Sequence, residues 1–259
     1  MNNGSISREF YIGRYIYLQK SLSNLADVHL GGRGDELTVT IYECDAITGK
    51  IRRRRISDKN PEWQRFYKIG LLRDELTEQL KLIMAGWKND YRGSLRDASS
   101  HYALIPNTES IYDSSLWNSL RSNDCDQPND YPIQYKNFIM RSFFEVEVAR
   151  VLDTIGIDYK YEVKLSIGGG KFMYPDMAVN FPEYNRCGFV EAMGGFDSLK
   201  YTTKNTLKLK DYINSGLYPN RDIAIISADR YNRPDPEIIR RTIGTMLSSI
   251  AAQYVIRVD

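Results

Sequence analysis

The second half of the chain alternates between short apolar runs and amphipathic stretches. Phe138, Ser142, Glu145, Val148, Ala149, Leu152 and Ile155 recur at helical spacing and predict a helix over Phe138 to Ile155. A short strand over Tyr159 to Leu165, a turn at Gly168-Gly169-Gly170 and a strand carrying Tyr174-Pro175-Asp176 follow. Next come the apolar run Phe189-Val190, closing on Glu191, a lysine-rich helix from Tyr201 to Asn214, and an apolar strand from Asp222 to Ser227. Asp235 caps a last helix with Pro236 at its first position, and Tyr254 to Val258 reads as a strand closing the sheet.

The first half is less regular. Aromatic and β-branched residues crowd around Gly13, which predicts a short hairpin of Phe10-Tyr11-Ile12 and Tyr15-Ile16-Tyr17. Gly31-Gly32-Arg33-Gly34 reads as a loop. Leu37 to Tyr42 alternates with period two and predicts a strand, turned at Thr48-Gly49-Lys50 into a second strand over Lys50 to Ile56. From Glu62 to Trp87, Phe66, Ile69, Leu72, Leu76, Leu80 and Ile83 mark an amphipathic helix, or a helix pair broken near Gly70. Glu109 to Arg121 holds a short helix. Asn123 to Asp130, with Pro128, is dense in turn formers and divides the chain into a smaller N-terminal α+β region, 1–130, and a second domain, 131–259. The fold class is mixed α/β, with a central mixed sheet flanked by helices in the second domain.

Composition narrows the chemistry. The 259 residues are 42% hydrophobic and include 19 tyrosines, so an ordered core is affordable. A net charge of +2 means that any phosphate-binding charge must be local. Three scattered cysteines and two histidines argue against zinc and fit a reducing interior. No apolar run approaches ~18 residues and Met1-Asn2-Asn3-Gly4 begins no signal peptide, so the expectation is a cytoplasmic protein with no membrane partner. One local concentration of charge exists, Arg52-Arg53-Arg54-Arg55, whose side chains alternate between the faces of a strand. Either it is an edge strand defended by charge or it is a nucleic-acid-binding patch for phosphates.

Three carboxylates stand where carboxylates are costly. Glu145 lies inside an apolar helical stripe, whereas Glu147 lies on a mixed surface. A salt bridge from Glu145 to Arg141 or Lys160 would explain it structurally, and a catalytic or metal-binding role would explain it functionally. Asp176 follows Pro175 at an irregular point or strand start, as a turn cap or as a ligand. Glu191 ends a core strand and needs a partner. Carboxylates brought together repel unless a cation neutralises them, and Mg²⁺, with Mn²⁺ as a substitute, takes a few carboxylate oxygens plus water and phosphate. On the following helix Tyr201, Lys204, Lys208 and Tyr212 share a face, so a lysine is either solvated there or reaches a phosphate.

The ordered set resembles the PD-(D/E)xK nuclease superfamily, with its restriction-endonuclease-like fold. It is closest to an uncharacterised bacterial subgroup with a Glu-His-x-Gly third motif. The matching residues are Ser142 and Glu145, Tyr161-Glu162, Gly168 to Gly170, Pro175-Asp176, Glu191-Ala192-Met193-Gly194, Tyr201, Lys204, Lys208, Tyr212, and Gly216-Leu217-Tyr218-Pro219, across about residues 138 to 249. The resemblance implies Mg²⁺ on Asp176 and Glu191, Glu145 as a further acidic ligand, and catalysis by these three with Lys208 or, second, Lys204. It departs at Met193, where the superfamily's usual lysine stands, and at Ala192, where the subgroup has histidine. The function implied is a Mg²⁺-dependent endonuclease acting on DNA, of a mobile-element or defence system, working as a homodimer or with a partner subunit. Two alternatives follow from the departures and from the amphipathic first half: a nucleic-acid-binding module without turnover, and a structural subunit of a larger nuclease complex.

Overall fold

The computed structural model describes residues 6–33, 36–125, 132–194, 198–228 and 235–258. The chain opens with α1 (Arg8–Asn24), an antiparallel sheet of β1 (Asp27–Arg33), β2 (Glu36–Cys44) and β3 (Ile51–Ile56), and the long helix α2 (Trp63–Asp90). Next come α3 (Leu95–Ser99), β4 (Tyr102–Leu104), α4 (Ser114–Ser119) and the hairpin β5 (Ile133–Tyr135)–β6 (Phe138–Met140). The second half runs α5 (Phe143–Ile155), β7 (Tyr159–Tyr161), β8 (Leu165–Ser166), β9 (Phe172–Met173), β10 (Met177–Phe181), a 3-10 turn (Pro182–Tyr184), β11 (Arg186–Met193), α6 (Leu199–Asn214), β12 (Ile223–Ser227), α7 (Pro236–Tyr254) and β13 (Val255–Arg257).

The sheet that matters for the site has the order β12-β11-β10-β7. β12 is parallel to β11, and the other two pairings are antiparallel, so the sheet is mixed. Side chains alternate across it. Val190 and Ala224 face one apolar cluster with Val148 and Leu152 of α5 and Ile243 and Leu247 of α7. Phe189 and Ile223 face a second with Tyr212 of α6 and Leu217. Both faces are covered, which is why the β12 and β11 segments read as continuous apolar runs rather than alternations.

The first helix corrects the hairpin expected at Phe10 to Tyr17. Ile6, Phe10, Arg14 and Leu18 recur every four residues and are all buried, with Tyr11 and Tyr15 beside them. The Ser7 Oγ caps the helix by accepting the Phe10 N–H at 3.3 Å. Aromatic content had signalled strand, but the period of the buried positions is helical. Gly13 marks a close approach of helices and strands rather than a turn: a Cβ there would lie 2.2 Å from Tyr184 Oη.

α1 is wired into the second half of the chain. Arg14, fully buried, donates from Nη1 to Glu183 Oε2 at 2.7 Å and from Nη2 to Gln79 Oε1 of α2 at 2.9 Å. One core cluster holds Phe10, Leu18, Ile83 and Trp87 together with Val148, Leu152 and Val190, so residues from both sides of position 130 share it. Of the expected dividing stretch at 123–130, residues 126–130 lie outside those described.

Other boundaries move for identifiable reasons. The α5 helix starts at Phe143, because Ser142 caps it by accepting the Glu145 N–H at 3.2 Å and residues 138–140 pair with β5 instead. α2 is one helix of 28 residues; Gly70 lies within it and gives space to Leu30, whose Cδ2 would be 2.5 Å from a Cβ. Gly31, Gly32 and Arg33 belong to β1 rather than to a loop, and Gly34 lies outside the described residues. β13 pairs with β4, not with the main sheet. Gly168, Gly169 and Gly170 all take left-handed backbone, φ +84°, +59° and +72°, which joins β8 to β9 in a turn that other residues would strain. No helix of the described residues is long and apolar enough to cross a membrane.

The Gly13 contact is testable. Gly13→Ala gains up to ~1 kcal/mol of helix propensity but collides with a tyrosine locked in the core, and overpacking costs ~1–3 kcal/mol. A net loss of stability is expected in urea unfolding, with part of it recovered in Gly13→Ala/Tyr184→Phe, which removes the colliding hydroxyl. An unchanged midpoint in the single variant would show that the approach is looser than described.

Candidate active site

β11 carries Glu191 on the face toward α6, between Phe189 and Met193. Its carboxylate is 4% exposed and is met from α6 twice. Lys208 Nζ bonds Oε1, and the Tyr212 hydroxyl donates to Oε2 at 2.6 Å. Lys208 and Tyr212 are one helical turn apart, so a single face of α6 closes both oxygens. Lys208 also donates to the Tyr174 carbonyl at 3.1 Å, which ties the helix to the segment before β10. Burial pulls the Lys208 ammonium down, but Glu191, Asp176 and Glu145 outweigh it and hold its pKa above the usual value. Burial, reinforced by Glu191, pushes the Tyr212 hydroxyl far up, so it acts as a donor.

Asp176 stands one residue before β10. Met177 pairs with Val190, so continuing the antiparallel register sets Asp176 beside Glu191. The half-buried Asp176 accepts the Ala192 N–H on Oδ2 at 2.7 Å, and among the described residues Oδ1 has no hydrogen bond. Burial raises this carboxyl well above its ordinary value, and Glu191 and Glu145 add to the rise against Lys208 and the Ala192 N–H. Pro175 suits this irregular point, where no ladder N–H is required.

Glu145 arrives from the first turn of α5, 8% exposed. Its Oε2 accepts the Tyr161 hydroxyl at 2.7 Å and the Arg141 backbone N–H at 2.9 Å; Oε1 has no partner among the described residues. The helix N-terminus favours a carboxylate there. Burial, then Glu145, drives the Tyr161 hydroxyl far up. Arg141 spends its side chain on Glu162, a residue held at φ +45° whose N–H donates to the Asp176 carbonyl at 2.8 Å. A non-glycine residue in left-handed backbone beside the site is the kind of local strain that accompanies functional geometry.

The structure therefore brings Glu145, Asp176, Glu191 and Lys208 into mutual electrostatic range. It does not bring Lys204, which is exposed on α6 and has no ion pair or hydrogen bond among the described residues. Glu147 pairs with Arg150 at 2.6 Å, a surface contact. Neither Arg141 nor Lys160 pairs with Glu145 by its side chain in the described contacts: Lys160 donates to the Trp117 and Leu120 carbonyls at 2.6 and 2.8 Å. Tyr161 and Tyr212 each donate to one carboxylate of the cluster, a contact that the reading of the catalytic and metal candidates did not include. Their signal was present, a tyrosine one turn beyond Lys208 and another just before Glu162. Met193 is 3% exposed within the α6-side core, and half-buried Ala192 packs on the opposite cluster, so neither contributes a charge to the carboxylates. Cys187 is buried, and burial pushes its thiol up to about 12, which rules it out as a nucleophile.

A divalent cation is fitted by donor type. No group of three or more His, Cys, Asp or Glu side chains among the described residues gathers closely enough to hold a metal by itself. Mg²⁺ does not require one, since it commonly takes one or two carboxylates and completes its shell with water and phosphate. The free oxygens Asp176 Oδ1 and Glu145 Oε1 match that need, whereas both oxygens of Glu191 are already engaged.

The arginine run separates by face. Arg54 bonds Glu62 at 3.1 Å and Glu43 at 3.4 Å and lies over the Phe66 ring, whereas Arg53 and Arg55 are exposed on the other side of β3. Comparison with protein-family models, with curated proteins and with solved structures found no match to this chain.

The raised Asp176 carboxyl fixes a pH dependence. It binds its proton more tightly folded than unfolded, so its stabilising effect is complete below the unfolded value of about 3.9 and is lost as pH rises through the folded value. Asp176→Asn is expected to unfold at a higher temperature than the wild type at pH 7, with the gap narrowing toward pH 4. Thermal melts across that range check it; a gap independent of pH would mean that Asp176 is not the titrating group.

Proposed function

We propose that the chain is a Mg²⁺-dependent phosphodiesterase that cleaves DNA internally, with its second half built on a restriction-endonuclease-like plan. The observation that carries this reading is the placement of Lys208: an ammonium from α6 seated on Glu191 and within electrostatic range of Asp176 and Glu145. It supplies from a helix the cation that Met193 does not supply from the strand.

Each residue has a distinct task in this reading. Asp176 Oδ1 and Glu145 Oε1 would hold the ion, with water and phosphate completing its shell. When bound, Mg²⁺ supplies an activated water and stabilises the charge that builds on the phosphate. Lys208, anchored on Glu191 and the Tyr174 carbonyl, presents its remaining N–H to a phosphate oxygen. Tyr212 and Tyr161 keep the Glu191 and Glu145 carboxylates in position from within the core. The Ala192 N–H fixes Asp176 through Oδ2 and leaves Oδ1 for a ligand.

A second reading draws on the same pair. Because Lys208 and Tyr212 close both Glu191 oxygens, the chain also fits a nucleic-acid-binding module without turnover, in which the ion pair has become structural.

Cleavage decides between them. Wild-type protein with supercoiled plasmid is expected to nick in Mg²⁺ or Mn²⁺ and not in EDTA. Asp176→Ala should fall to the EDTA background, and Lys208→Met should lose on the order of 10²–10³ in rate, the scale of a lost charge-stabilising donor. Cleavage that survives Asp176→Ala overturns the assignment. No metal-dependent cleavage, with no metal-induced rise in melting temperature, selects the module.

A further inference from the structure

The β1–β2–β3 sheet has one covered face and one open face. Val28, Val39, Ile41 and Ile56 pack with Phe66 of α2 on the covered side. The open side forms a groove of about 590 Å³ whose lining includes His29, Thr38, Thr40, Tyr42, Arg53 and Arg55. The register explains the grouping: Arg55, Thr40 and His29 stand in one row, and Arg53, Tyr42 and Asp27 in the next. None of these side chains belongs to the carboxylate site.

Two features make this face more than a solvated edge. First, Arg53 and Arg55 form no ion pair or hydrogen bond among the described residues, although their neighbour Arg54 is paired twice on the covered side. The acid described on this face, Asp27, is already engaged by His29 and by Arg73, each at 3.0 Å. The groove therefore offers two uncompensated guanidinium groups, on residues whose backbone positions are ~7 Å apart along the strand, in the planar form suited to phosphate. Second, the rings of His29 and Tyr42 meet edge to face at 5.2 Å in the same groove and present aromatic surface beside those charges.

We propose that this sheet face binds single-stranded DNA, with successive phosphates on Arg53 and Arg55 and an unpaired base against the Tyr42–His29 pair. Charge complementarity selects a polyanion, and the aromatic pair selects unpaired bases, since a base within a duplex keeps its faces stacked on its neighbours. The choice of DNA over RNA rests on the proposed cleavage of DNA; binding by this face does not. The rival explanation, an edge strand protected by charge, makes no distinction between the two faces of β3. Arg52 is its natural control, because it is exposed and lies on the Arg54 side of the strand.

Fluorescence anisotropy of a labelled oligothymidine, with full-length protein in EDTA, separates binding from any cleavage. Wild type is expected to bind at low salt, with weaker binding to a duplex of the same length. Arg53→Ala/Arg55→Ala should weaken binding and lower the slope of log K against log salt by roughly 1.4, two phosphate contacts at about 0.7 each for a single strand. Tyr42→Ala should weaken it by roughly tenfold, and Tyr42→Phe should restore it. Arg52→Ala should leave affinity and slope as in wild type. The proposal is overturned if wild type does not bind oligothymidine, if it prefers duplex, or if Arg52→Ala acts as strongly as the Arg53/Arg55 pair. Plasmid nicking, read separately, reports on the cleavage reading: loss of binding with nicking intact condemns the groove alone, and binding without nicking condemns the nuclease alone.

Discussion

A carboxylate on a buried strand must find a cation or donors, and Glu191 finds three elements' worth of structure in doing so. Its oxygens draw Lys208 and Tyr212 onto the sheet, which fixes the rotation of α6 about its own axis. Lys208 in turn reaches the Tyr174 carbonyl, so the same ammonium sets the approach to β10 and the position of Asp176. Removing either partner of such a pair leaves an uncompensated buried charge, which typically costs ~3–5 kcal/mol. The geometry of the carboxylate site and the packing of the helix that covers it are therefore one problem with one solution.

A second buried ion pair, Arg14 with Glu183, provides the contrast. It too is inside the core, and it joins α1 to the turn before β11 and, through Gln79, to α2. It is set among apolar residues of the main cluster, with Asp158 as a second carboxylate 3.9 Å from Arg14 Nη2, and its Nη groups hold α1, α2 and the turn together. Around Glu191 three carboxylates, its own and those of Asp176 and Glu145, stand with one lysine, and among the described residues Asp176 Oδ1 and Glu145 Oε1 accept no hydrogen bond. Burial, with Glu191 and Glu145 adding to it, raises the Asp176 carboxyl above its ordinary value.

Positive charge on this chain is local rather than global. A net charge of +2 over 259 residues gives no overall field. The folded chain concentrates cations by geometry instead: one lysine at the carboxylates, and two arginines on a sheet face that has its own small core against α2.

Much of this was legible in the order of residues. Period-two alternation at Leu37 to Tyr42, apolar runs at Phe189-Val190 and Ile223 to Ile226, and the Asp235-Pro236 cap each specify an element locally, and each element forms there. The carboxylates Glu145, Asp176 and Glu191 were conspicuous because each sits where local patterning calls for an apolar or turn residue. What the sequence could not determine is anything set by long-range partners. Phe10 to Tyr17 has strand-like composition, but burial against Trp87, Tyr184 and α7 on several sides makes it a helix. Lys204 and Lys208 share one face of α6; only the position along the helix axis, set where Lys208 and Tyr212 meet Glu191, brings one to the carboxylates and leaves the other, a turn nearer the N-terminus, exposed. Four consecutive arginines are likewise identical in sequence, and only the register of β3 on β2, with α2 beneath, decides which are paired and which stand free. Local periodicity fixes which residues share a face; what that face meets is decided by packing between segments far apart in the chain.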